Sequence, residues 1–188
     1  MPQVRSCLLP AQRYARRAAL VAIVAVAAGW GVMPVSASDP APQVYRLAGT
    51  EIRATSSSGT FAGEGLRSSG NALVWKATVR HTALSRNPAT PAQITGGTVA
   101  LRLWSKRSLS VISGDVTEGT VTFNKTHSST AACAKEVYDV SGILGNVRSG
   151  GLVGHGAIQV ALTHHRRMIW GHCITYGATL SGNLSLSF

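Results

Sequence analysis

The histidines are the first residues to question about chemistry. His155, His164, His165 and His172 crowd between positions 155 and 172, and His81 stands far upstream. Imidazole exchanges its proton near neutral pH and is a common metal ligand. His81, His164 and His172 would supply three nitrogens of the kind a zinc site uses, provided that their strand ends converge. His164 and His165 are adjacent, so on a strand they face opposite ways and cannot share one ion. After Glu118 the only acids are Glu136 and Asp139, which leaves few carboxylates to orient ligating imidazoles. The expectation is therefore no metal and no other cofactor. His81, His164, His165 and His172 are read as candidate binding residues, together with Arg166, Arg167, Trp170 and Tyr176. A guanidinium beside an aromatic ring is a good contact for polymers, membranes or proteins.

Other reaction classes fit poorly. No Gly-x-Ser-x-Gly turn occurs. Ser141, His164 and Asp139 can be written down as a hydrolytic set, but no spacing demands it. Seven acids in all, dispersed along the chain, argue against a glycosidase pair. There is no phosphate loop and no dinucleotide fingerprint. No catalytic residue is assigned.

The amino end has the composition of an export signal. Arg5, Arg13, Arg16 and Arg17 precede the apolar run Ala18–Gly29, and Val35-Ser36-Ala37 has the small residues that a signal peptidase reads. The run is shorter than the roughly 20 residues of a membrane span. Residues 1–37 are expected to be a signal peptide, 38–43 a flexible leader, and 44–188 a single domain. No stable membrane span is expected once the signal is removed. Loss of the signal takes four arginines with it, and the formal charge falls from +11 to +7. Such a balance favours anionic partners, here an anionic cell-envelope polymer. No basic stripe interleaved with aromatics appears, so nucleic acid is not expected.

Cys7 would leave with the signal, and Cys133 and Cys173 would remain. An even pair in an exported chain predicts a disulfide. The competing role is metal ligation by Cys173 with His172 and His164.

These side chains need elements to position them. Leu73, Trp75, Ala77, Val79 and His81 alternate with Val74, Lys76, Thr78 and Arg80. The same period of two marks Val99, Leu101 and Leu103, then Ile158, Val160 and Leu162, then Leu184, Leu186 and Phe188. A first strand is expected from about Val44 with a break at Gly49. Leu109–Ser113 and Glu118–Asn124 read as two strands separated by Gly114-Asp115. The glycine-rich stretch 146–156 reads as a loop. Gly142, Gly177 and Gly182 suggest bulges. No stretch has sustained helical periodicity. Seven to ten short strands predict an all-β domain, a small antiparallel barrel in preference to a sandwich. The strands ending in His81 and His164 are each followed by Ile-Thr-x-Gly, at Ile94 and Ile174, which would put the two histidines at comparable ends.

Ile94-Thr-Gly-Gly-Thr-Val, Tyr138-Asp-Val-Ser-Gly-Ile-Leu and Leu162-Thr-His-His-Arg resemble segments of small secreted proteins of high-GC Gram-positive bacteria. More distantly, the glycine-rich strands are similar to those of allene-oxide-cyclase-like and lipocalin-like barrels, although no Gly-x-Trp stands near the first strand. The resemblance implies a barrel and an apolar ligand. Its interior would be lined by Trp75, Leu101, Leu103, Phe123, Tyr138, Ile158, Val160, Leu162 and Tyr176, and for a chain of this size these side chains are expected to fill it, with a ligand-holding interior as the alternative. The functional expectation is a secreted, non-enzymatic binding or surface-interaction module of the cell envelope or exterior. The alternative is a barrel enzyme, either an isomerase or cyclase on an apolar substrate or a metal-dependent hydrolase using His81, His164 and His172.

Overall fold

The computed structural model describes residues 41–105, 108–131 and 133–188. The expected signal peptide, most of the leader, and the Lys106-Arg107 pair lie outside the described residues. Among the described residues there is no helix. Accordingly, none is long and apolar enough to cross a membrane.

Eight strands follow one another: β1 (Gln43–Ala54), β2 (Ser58–Arg67), β3 (Ala72–His81), β4 (Ala92–Trp104), β5 (Leu109–Phe123), β6 (Glu136–Ser149), β7 (Leu152–Ile169) and β8 (His172–Ser187). Each pairs antiparallel with the next, and β1 pairs with β8, so the sheet closes into a barrel. The expectation of a barrel rather than a sandwich holds. The period-two residues fill it: Tyr45 and Leu47, Leu73 and Trp75, Leu101 and Leu103, Val160 and Leu162, and Leu184 and Leu186 are all buried.

Four expectations need correction. β1 runs without interruption through Gly49, and its irregularity falls between Glu51 and Arg53. The two strands placed on either side of Gly114-Asp115 are one strand, β5, bent by register shifts between Ser113 and Asp115 and between Val116 and Glu118. The stretch 146–156 is not a loop; β6 reaches Ser149, β7 starts at Leu152, and Gly150-Gly151 alone form the turn. Gly142 and Gly182 carry no bulge, since pairing runs continuously through them, whereas Gly177 borders one: it pairs with His165, Arg166 pairs with Thr175, and Tyr176 between them is left over.

Two glycines show what this composition is for. The Trp75 indole lies inside the barrel and donates its Nε1–H to the carbonyls of Ala48 and Glu64. A Cβ on Gly49 would come within 2.6 Å of the Trp75 ring, and one on Gly63 within 2.0 Å of the Ala48 oxygen. Paired across β1 and β2, Gly49 leaves room for the indole and Gly63 lets the two backbones approach closely.

The meander gives the barrel two unlike ends. At one end lie the 68–71 and Gly150-Gly151 turns and the chain terminus. At the other lie the segments 55–57, 82–91 and 124–135 and the β7–β8 turn. The core is solid toward the first end, with Tyr45, Leu73, Leu101, Val147, Leu184 and Leu186 almost fully buried. It opens toward the second.

Candidate functional site

Toward the loop end the barrel holds a cavity of about 280 Å³. Phe61, Trp75, Ile94, Val116, Leu144 and Val160 are among its apolar walls, and Leu84 adds to them from the 82–91 loop. Its polar lining is Glu51, Thr55, Ser56, His81, His164 and Thr175. All six belong to the loop end of their strands or to the connections there, so the cavity is apolar in its depth and polar only at its mouth.

Alternation explains why these residues point inward. His81 continues the inward face Leu73, Trp75, Ala77 and Val79, and His164 continues Val160 and Leu162. The two histidines therefore sit at matching ends of β3 and β7, as their shared sequence context suggests, and line one cavity. His81 Nδ1 lies 2.7 Å from the Thr82 carbonyl oxygen. A carbonyl only accepts, so Nδ1 carries the proton and neutral His81 presents Nε2 as an acceptor. The His164 ring packs beside Tyr138 with centroids 5.3 Å apart. Burial lowers its pKa below the ordinary 6.5, and Arg166, His81 and His165 act in the same direction against Glu136. Burial also raises the Glu51 pKa. Glu51 has no hydrogen-bond or ion-pair partner among the described residues.

Beside the mouth, Glu136 opens β6 as a buried carboxylate. It accepts from Arg166, from Arg86 at 2.6 Å and from the Tyr138 hydroxyl at 3.2 Å. Burial, reinforced by Glu136, lifts the Tyr138 pKa to about 12. Arg86 belongs to the 82–91 loop that also carries Leu84, so its ion pair holds that loop against β6.

The other expected site residues divide. Cys133 and Cys173 are joined, with Cα atoms 5.1 Å apart, and the bond ties the 124–135 loop to the start of β8. His165 faces outward and hydrogen-bonds with Thr179 Oγ1. Arg167 lies over the Tyr176 ring at 5.4 Å, and Trp170 is 95% exposed at the hairpin turn. Two assignments are corrected. Arg166 is not an outer contact residue; it continues the inward phase of Val160, Leu162 and His164 and reaches Glu136, where only 13% of its side chain is exposed. Tyr176 does not line the interior but lies outside with Arg167. His172 sits exposed beside the turn, paired with Ile169, away from the cavity that His81 and His164 share. Among the described residues no three His, Cys, Asp or Glu side chains gather to hold a metal ion. The three-histidine set behind the hydrolase alternative is therefore not assembled. Ser141 and Asp139 face outward, so they form no set with inward-facing His164.

Sequence reasoning missed Glu51 and Glu136. The signal was present: Glu51 is in phase with Tyr45 and Leu47, and Glu136 with Tyr138, so the alternation sends both acids inward.

A pH prediction follows from His164. Its folded pKa lies below 6.5, so between those two values the unfolded chain binds a proton that the folded chain does not. Its contribution to stability is full above 6.5 and is lost as the pH falls from there to the folded value. Thermal unfolding recorded from mildly alkaline to mildly acidic pH should show the midpoint falling on acidification. His164→Gln should flatten that fall, and an equally steep fall in the variant would contradict the assignment.

Comparison with protein families, with curated proteins and with solved structures finds no match for this chain.

Proposed function

We propose that this protein is an extracytoplasmic binding module whose barrel takes up one small, apolar molecule. The observation that carries this reading is the cavity itself. Protein interiors are close-packed, and a void of this kind forgoes stabilising contacts on the order of 5 kcal/mol. The opposite half of the same barrel is filled by Tyr45, Leu101 and Leu184, so the sheet does not require the void. The disulfide supports an oxidising compartment. At the β7–β8 turn, Trp170 takes φ 48° before Gly171 at φ 77°. A bulky residue in the left-handed region costs roughly 1–2 kcal/mol. Together with Arg167 on Tyr176, this supports a second role for the hairpin as an outer contact, with an anionic envelope polymer as the partner of fitting charge.

Naphthalene is a suitable probe, being apolar, neutral and small enough for the cavity. It should bind saturably, one molecule per chain. Val116→Phe, which fills the cavity from one wall, should weaken binding tenfold or more, whereas Trp170→Ala should leave it unchanged. Absence of saturable binding would refute the cavity reading.

One observation favours a second reading, an isomerase or cyclase acting on an apolar substrate. Glu51 and His81 give the mouth of an apolar cavity two groups able to accept a proton from a bound molecule.

A further inference from the structure

The polar groups at the cavity mouth select a chemical class of ligand. We infer that the occupant is an uncharged apolar molecule carrying a hydroxyl group, held with its hydrocarbon body in the barrel and its O–H donated to Glu51, with His81 Nε2 as the second acceptor at the mouth. This rests on the cavity being the binding site.

Size comes first. The cavity is about 280 Å³, and a cavity of about 150 Å³ accommodates benzene. The occupant therefore has roughly ten to twelve non-hydrogen atoms by that comparison. Its body meets only apolar side chains, because the one donor among the deep walls, the Trp75 indole N–H, is already given to the Ala48 and Glu64 carbonyls. Orientation must come from the mouth.

Beside the hydroxyls of Thr55, Ser56 and Thr175 and the His164 ring, the mouth presents two acceptors. Glu51 has a carboxyl group without a partner, and His81 has spent its only N–H on the Thr82 carbonyl. An unmatched acceptor facing an apolar space is costly, and a ligand donor removes that cost. An anionic head fits badly. Arg86 and Arg166, beside the mouth, are both committed to Glu136. A cationic head would have Glu51 as its only counter-charge, at a site where burial works against the ionised carboxyl and where His164 is held neutral. A neutral donor needs no counter-charge and loses less hydration on entering. The single hydroxyl hydrogen satisfies one of these acceptors, Glu51, at the lowest desolvation cost.

Four probes on one skeleton test this: naphthalene, naphthalenemethanol, naphthoate and naphthylmethylammonium, titrated by calorimetry into the full chain near neutral pH. The alcohol should bind about tenfold more tightly than naphthalene, as one well-made hydrogen bond implies, and both ions more weakly than the alcohol by at least that factor. Glu51→Leu should remove the alcohol's advantage, read as the ratio of alcohol to naphthalene affinity in the same variant, and an unchanged unfolding midpoint would show that the barrel is intact. His81→Phe should reduce the advantage about threefold. Equal binding of alcohol and hydrocarbon, or tightest binding of either ion, overturns the hydroxyl inference and leaves the apolar site standing. If none of the four binds, the cavity reading itself fails and this inference falls with it.

Discussion

Replacing Cys133 and Cys173 with serine should lower the free energy of unfolding by about 3–4 kcal/mol, the value expected for releasing a closed loop of this length. The two cysteines are separated by 40 positions. The bond therefore removes many conformations from the unfolded chain. The 124–135 loop is held to β6 by Asn124 with Asp139 and by Ser128 with Val137, and the disulfide adds an anchor to a second strand, β8. Urea unfolding of the wild type and the double serine variant would measure the loss, which corresponds to a fall in midpoint temperature of about 10 °C for a domain of this size. Neither sulfur lines the cavity, so naphthalene affinity should be retained at low temperature. A loss below about 1 kcal/mol would mean that the loop is anchored by something other than the bond.

Glu136→Ala should be comparably damaging, for a different reason. The carboxylate is buried and is shared by Arg166, Arg86 and the Tyr138 hydroxyl. Its removal leaves the Arg166 guanidinium enclosed without a counter-charge. Breaking a buried pair from one side costs about 3–5 kcal/mol. Arg86 is mostly exposed, and Arg86→Ala should cost less than about 1 kcal/mol because water screens that arm of the cluster. The decisive variant is the double one. Glu136→Leu with Arg166→Met removes both charges together and should recover most of the loss, because apolar replacements of a buried pair are often close to neutral. If the double variant is as unstable as Glu136→Ala, the carboxylate is needed for the fold beyond its pairing with Arg166.

Much of this molecule is legible in the order of its residues. The run Leu73-Val-Trp-Lys-Ala-Thr-Val-Arg-His81 alternates cleanly, and β3 lies where that alternation places it, with His81 inward at its end. Where glycine replaces the inward side chain, the alternation has no marker. Gly154 and Gly156 take alternate positions on β7 beside Ser187 and Leu186, so strand reads as loop. The alternation sends Glu136 inward, but its partners were obscured for another reason. Glu136 is explained by Arg86 and Arg166, which lie fifty positions upstream and thirty downstream, and only the closed sheet brings them together. Arg166 was legible in the same way: it is in phase with Val160, Leu162 and His164, so the alternation sends it inward, and the residue left over at the β7–β8 register shift is Tyr176 on β8.

The pairing order has a consequence for how the molecule assembles. Seven of the eight seams join neighbours in the chain, but the last joins the first strand to the final one, with Gln43 opposite Leu186. Such long-range pairing is the slow part of folding. During synthesis β1 is made first and its open flank has no mate until β8 emerges, so a nascent chain carries an unprotected template for association with other chains throughout. The outward Arg46, on the flank that waits longest, is well placed to discourage such encounters.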